Sequence, residues 1–202
     1  MHAVNKGKGH PPRLKGWDYS WAGGYFVTFL VKGRLCCLST IDKGKLQSSP
    51  SGEIVQQCWL ELPTQFPQVV IDEMVIMPNH VHAVVLLTDT CGAFIYEGPR
   101  EALINQGPTN QGPTNQGSTK QGSLKPMMSD PQMVLGKVIR AWKAKSARLI
   151  HQAGHPSFAW QSRYYEHIIR GESELDQVRV YIANNPMQWD IDSENPNRRE
   201  TP

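Results

Sequence analysis

His80-Val81-His82 is the first stretch in which residue type and spacing suggest chemistry. On a strand, residues i and i+2 face the same way, so both imidazoles can address one metal ion. Val81 and Ala83 then anchor the other side in a core. A histidine pair at a strand mouth, satisfied by water or backbone, is the competing reading. Tyr181 is the second candidate, four residues before Asn185 and on nearly the same helical face. A phenol with an amide oxygen one turn away can address one ion or one phosphate, though a tyrosine bordering an apolar stripe is an ordinary core residue. A third feature is a run of cations, Lys137, Arg140, Lys143, Lys145 and Arg148, continued by Arg163 and Arg170. No acidic residue lies between Pro131 and Tyr165. A structural surface helix usually mixes signs to gain i,i+4 pairs, whereas a single-sign face suits a phosphate backbone. Trp142, Trp160, Tyr164 and Tyr165 are available to stack on unpaired bases, with the core as their alternative place.

Taken together, the three features describe transesterification at a DNA phosphodiester. A phenol with a pKa near ~10 is a poor nucleophile at neutral pH. A divalent ion on a non-bridging phosphate oxygen withdraws charge and orients the scissile bond. Two histidines completed by oxygen ligands suit Mg²⁺ or Mn²⁺ better than a closed zinc site.

Particular elements must position these groups. Tyr25 to Val31 is a β-rich run between Gly23-Gly24 and Lys32-Gly33, and Leu35 to Leu38 extends it toward a hairpin. Ser51 to Leu62 has helical spacing, with Ser51 as N-cap and Pro63 at its end. Val69–Met77 and Val81–Leu87 read as adjacent strands about Pro78-Asn79. Leu135, Val138, Ile139, Trp142, Leu149 and Ile150 form the apolar stripe of a helix over residues 132–151. Tyr164 to Ile169 suits a short strand. A last helix follows from about Ser173, with Ser173 and Asp176 approximating a capping box and Asn184-Asn185-Pro186 closing it. Pro186 also biases Asn185 away from helical geometry. The order strand, helix, strand, strand, helix, strand, helix predicts an α+β, ferredoxin-like antiparallel sheet with helices on one face.

The 202 residues carry a net charge of +3, so global charge does not announce a nucleic-acid partner. Residues 1–16 read as a flexible basic arm and 17–190 as one catalytic domain. An insertion at about 91–131 carries the repeats NQGPT, NQGPT, NQGST and KQGSL, whose composition leaves nothing to bury and predicts disorder. Residues 191–202 read as a flexible tail. Cys36, Cys37, Cys58 and Cys91 contain no CxxC pair and read as reduced thiols. With no apolar run near the ~20 residues a span requires and no signal-peptide pattern, the expectation is a cytoplasmic protein working on DNA, away from membranes.

Four stretches carry a resemblance to a known family: WDYS…GGYFVTFLVKGR, VVIDEMVIMPNHVHAVVLL, LGKVIRAWKAKSAR, and WQSRYYEHIIR…VRVYIANNP. In order and spacing they are similar to the REP-associated tyrosine transposases, within the HUH single-strand endonucleases. The likeness covers roughly residues 13–90 and 133–190, and the repeat insertion lies outside it. It implies His80 and His82 as metal ligands, Tyr181 as the nucleophile of a 5′-phosphotyrosyl intermediate, and Asn185 as the residue completing the metal shell. It further implies single-stranded or hairpin-forming DNA as the partner, acted on by a monomer or a homodimer. A domesticated protein that grips hairpins without cutting is the alternative. A histidine-triad phosphoesterase fits less well, because position 84 is Val and Tyr181 goes unused.

Overall fold

The computed structural model describes residues 22–88 and 134–198. The expected basic arm, the repeat insertion and Cys91 lie outside the described residues.

Four strands form the main sheet: β1 (Gly23–Leu30), β4 (Val69–Ile76), β5 (His80–Leu87) and β6 (Tyr165–Ile169). Their order is β4-β5-β1-β6 and every pairing is antiparallel. Helix α1 (Pro50–Leu60) precedes β4, and helix α3 (Val134–Gln152) precedes β6. With the first and third sheet strands in the middle, this is the ferredoxin-like α+β arrangement expected from the element order.

Alternation along the central strands separates two apolar layers. Tyr25, Val27 and Phe29 of β1 and Val31 just beyond it, with Val81, Ala83, Val85 and Leu87 of β5, face α1 and α3 in the main core. Trp59 and Trp142 meet edge to face in that layer, and Phe29 lies against Trp142 with ring centroids 4.6 Å apart. The opposite side of the sheet carries a smaller cluster of Val84, Leu86, Ile169, Leu175 and Ile182. Leu175 and Ile182 belong to α4 (Glu172–Asn184). The crossover helices therefore share one face, as expected, while α4 crosses to the other. The reason is the second apolar set on β5, whose eight residues are all buried and need a cover on both sides.

Local chemistry differs from expectation at several boundaries. The N-cap of α1 is Ser49, not Ser51: its hydroxyl accepts from the Gly52 N–H at 3.1 Å. Ser51 and Gly52 are buried in the first turn, where a side chain on Gly52 would strike the Leu38 carbonyl oxygen. Helix α4 begins at Glu172 after Gly171, without a side-chain cap, so Ser173 and Asp176 form no capping box. Leu35–Leu38 does not extend a hairpin with β1. The hairpin comes later, as β2 (Ser39–Asp42) and β3 (Lys45–Ser48). Lys43 and Gly44, both at positive φ, make its two-residue turn, the backbone geometry that suits the twist of paired strands. A four-residue helix, α2 (Leu62–Gln65), leads into β4. Among the described residues no helix is long and apolar enough to cross a membrane.

Candidate active site

The candidate residues gather on the α4 side of the sheet. His80 and His82 alternate with Val81 and Ala83 and so point away from the main core, toward α4. Both are buried, and their Nε2 atoms lie 3.1 Å apart. The neighbouring strand and loop fix each ring from behind. Thr28, opposite His82 in the register, places its Oγ1 2.8 Å from His82 Nδ1. Asn79 Oδ1 lies 2.8 Å from His80 Nδ1.

Asn79 determines the His80 tautomer. Its Nδ2 donates to the Glu194 carbonyl at 2.8 Å and to the Arg34 carbonyl at 3.3 Å, so Oδ1 is the atom facing the imidazole. An amide oxygen only accepts, so His80 Nδ1 carries the proton and Nε2 turns its lone pair inward. An imidazole held this way by a hydrogen bond on its far nitrogen is set to bind a metal.

Burial lowers the His80 pKa to about 4, with Arg34 adding to the effect. Burial, reinforced by His80, lowers that of His82 to about 3. Both rings are therefore neutral near pH 7, the state a metal ligand requires.

A third group comes from beyond α4. After Asn184 the chain continues as a 3-10 segment, Asn185–Ile191, and turns back over the strand mouth. Asp192 Oδ1 accepts the Glu194 N–H at 2.7 Å, which leaves Oδ2 3.7 Å from His80 Nε2. His80, His82 and Asp192 form a cluster able to hold a metal ion, with one ligand atom from each lying within 4.8 Å of the others. The residues after 191, expected as a flexible tail, are in place as far as Arg198. Glu194 pairs with Arg34 at 3.0 Å, and the buried Asn195 donates to the Trp189 carbonyl at 2.8 Å. Polar contacts hold this segment, so the absence of apolar periodicity in WDIDSENPN did not mark it. The only sequence signal for Asp192 was the acidic pair Asp190 and Asp192 just past the tyrosine helix, which does not say which residue turns inward.

Tyr181 lies on α4 above this cluster, its hydroxyl 3.5 Å from His82 Nε2. Phe26 braces the group, stacked on His82 and edge-on to Tyr181. The tyrosine remains 46% exposed. Partial burial and nearby Asp192 and Glu194 raise its pKa, while a hydrogen bond from Asn185 opposes the rise. Asn185 is helical, at φ −58° and ψ −41°, despite the bias expected from Pro186. The 3-10 segment accommodates the proline in its first turn, where no N–H is needed. The Asn185 Oδ1 is buried with no hydrogen-bond partner among the described residues. Two imidazole nitrogens, a carboxylate and a buried amide oxygen are the kind of donors a divalent cation satisfies.

Two polar contacts add to the apolar packing of α4. Arg179, two residues before Tyr181, grips Asp72 with Nε–Oδ1 at 2.9 Å and Nη2–Oδ2 at 2.5 Å. Asp72 lies at an irregularity of β4, where the register shifts between Ile71 and Met74 and the carboxylate turns toward the helix. At the other end Glu174 bonds His167 Nε2 at 2.8 Å and the Arg170 N–H at 2.6 Å.

The cationic residues are not gathered at this site. Helix α3 covers the opposite face of the sheet. Lys137, Arg140 and Arg148 are exposed there, as are Arg163 and Arg170 at the ends of β6. Lys143 turns inward, donating to the carbonyls of Gln161 and Arg163 at 2.9 and 3.1 Å, and burial lowers its pKa to about 8. Lys145 pairs with Glu61, the C-cap residue just past α1. The acid that balances it comes from a segment distant in sequence, so the one-sidedness of the helix overstated its free charge.

No family model matches the chain. An uncharacterised protein of Haemophilus influenzae is 32% identical over 184 residues, 89% of this chain and 89% of that protein, and the chain belongs to the same family. A solved REP-associated tyrosine transposase bound to a REP hairpin aligns over 83% of this chain and 68% of its own, with a TM-score of 0.48 and 17% identity. A protein of Deinococcus radiodurans provisionally described as a transposase aligns over 85% of this chain and 97% of its own, with a TM-score of 0.44 and 17% identity.

Proposed function

We propose that the protein is a transposase-like enzyme that cleaves and rejoins single-stranded DNA at hairpin-forming repeats, using Tyr181 as nucleophile and a divalent metal as cofactor. The observation that carries this reading is the convergence, from separate elements, of His80, His82 and Asp192, with the Tyr181 hydroxyl 3.5 Å from His82 Nε2 and hydrogen-bonded to Asn185. The four motif stretches that resemble the REP-associated tyrosine transposases include the strand bearing both histidines and the helix bearing the tyrosine.

His80, His82 and Asp192 would hold the ion, with Asn185 completing the shell, and two nitrogens with hard oxygens suit Mn²⁺ or Mg²⁺. When bound, the ion polarises the scissile phosphate and eases departure of the leaving oxygen. The chain supplies the remaining chemistry. The Tyr181 oxygen bonds to phosphorus as the P–O3′ bond breaks, and the phenolic proton is exchanged through solvent for one on the released 3′ hydroxyl. The phosphotyrosine conserves the bond energy, so reversal by a 3′ hydroxyl rejoins the strand without a nucleotide. Asn185 assists by donating to the phenolic oxygen, which favours its ionised form. Phe26 limits the sideways movement of both Tyr181 and His82.

Calorimetric titration of the metal-free protein with Mn²⁺ tests the ligand set. One ion binds per chain, His80→Ala and His82→Ala each abolish binding, and Asp192→Asn and Asn185→Ala weaken it. Unchanged binding in both histidine variants contradicts the site. A non-cleaving hairpin-binding protein would instead bind DNA equally well with and without metal.

A further inference from the structure

Four aromatic residues near the end of the chain were candidates for stacking on unpaired bases, and the structure separates them. Trp142 and Trp160 are buried against one another in the main core, and Tyr164 packs on the same layer, against Phe29. Tyr165 points the other way. It pairs with Thr28 in the register of β1 and β6, and directly opposed residues share a face. Thr28 is the residue that holds His82. The ring of Tyr165 therefore stands on the same side of the sheet as His82 and Tyr181. It is 39% exposed and makes no ring contact or hydrogen bond with another described residue.

Its position on the sheet gives this exposure a use. Strand β6 is the edge of the sheet beyond β1. Exposed Arg163 precedes Tyr165 by two residues, and exposed Arg170 follows β6. Lys143 contacts the Gln161 and Arg163 carbonyls, which places the middle of α3 beside the start of this same edge. The β6 edge therefore lies between the cationic surface of α3 on one side of the sheet and the Tyr181 site on the other.

We propose that Tyr165 forms a nucleobase-stacking subsite, on which an unpaired base of a single strand lies as the strand passes over the β6 edge toward Tyr181. The ligand class is single-stranded nucleic acid, held by an aromatic face with arginines at both ends of the edge strand. This rests on the DNA-processing reading and assigns that site its strand path. A duplex, whose bases are already stacked within it, gains nothing from the subsite.

The test separates binding from chemistry. Full-length protein carrying Tyr181→Phe is titrated in EDTA against a fluorescein-labelled mixed-sequence single strand, the same sequence as a blunt duplex, and an abasic strand of equal length. Adding Tyr165→Ala weakens binding of the base-bearing strand by roughly tenfold, within the range measured for one aromatic–base stack. It leaves the duplex and the abasic strand unchanged, while Tyr165→Phe and Tyr165→Trp retain full affinity. Equal losses on base-bearing and abasic strands, or no loss on either, overturn the subsite. Because no metal and no cleavage are involved, the stacking result stands even if Tyr181 never forms an adduct. That second failure would count against the enzyme alone.

Discussion

Replacing Arg179 with alanine tests whether the tyrosine helix is positioned or merely packed. Arg179 holds Asp72 through two hydrogen bonds, and the Asp72 side chain is only 13% exposed. Removing the guanidinium strands a mostly buried carboxylate, for which the desolvation penalty is about 1–3 kcal/mol. The arginine side chain is itself 40% exposed, so solvent screening brings the expected cost to the lower part of that range, about 1–2 kcal/mol. Little of this should appear as global unfolding, because α4 rests on the smaller cluster while the main core lies across the sheet. The cost falls on the placement of Tyr181, two residues on. At about 1.4 kcal/mol per factor of ten, single-turnover cleavage slows by about tenfold while hairpin affinity stays within about twofold. The assay is rapid-quench cleavage under saturating DNA and Mn²⁺, with anisotropy for binding and a melting curve for stability. Asp72→Ala produces the same slowing, and the double variant is no slower than either single one. Wild-type cleavage by Arg179→Ala, or additive losses in the double variant, would refute the reasoning.

Other predictions concern the site and its frame. The folded His80 and His82 pKa values lie below the ~6.5 of a free histidine, so the unfolded chain binds more protons between pH 6.5 and about 4. The stabilisation is complete above pH 6.5 and is lost as pH falls through that window, with a slope approaching about 2.7 kcal/mol per pH unit for two histidines; urea midpoints of the metal-free protein between pH 7 and 4 measure it. Asn79→Ala removes both the acceptor that fixes His80 and the donor that holds the Glu194 carbonyl. It should lower Mn²⁺ affinity by about 10-fold or more, the usual effect of losing such a partner, and calorimetry reads the change. Gly52→Ala places a methyl 2.1 Å from the Leu38 carbonyl oxygen, and forcing that backbone contact costs about 1–3 kcal/mol or more, seen as a lower melting temperature with the site chemistry intact.

The main sheet was legible because its strands state their pattern locally. YFVTFLV and HVHAVVLL are apolar runs with turn residues on either side, and the two sides of β5 both needed covering. The face on which α4 packs was less legible, since its apolar stripe is short and shares a surface with Tyr181. The histidine pair could be read from its spacing of two residues. Asp192 could not, because it arrives by a 3-10 segment held through Asn79 and Arg34, contacts that cross more than a hundred residues of sequence. The same limit applied to charge. Lys143 and Lys145 read as free cations on a helical wheel, and their partners are carbonyls of a later loop and Glu61 at the end of an earlier helix. Asn185 shows local bias giving way to context, with Pro186 seated in the first turn of the following segment rather than breaking the geometry before it.

The central claim is that the Tyr181 oxygen becomes bonded to DNA. The most direct measurement incubates the protein with synthetic single strands carrying palindromic repeats from around its gene, with Mn²⁺ or with EDTA. Denaturing electrophoresis and peptide mass spectrometry then locate any attached DNA. A metal-dependent adduct on the peptide containing Tyr181, absent from Tyr181→Phe, is the predicted result. Tight hairpin binding with no adduct, or cleavage that persists in Tyr181→Phe, would contradict it.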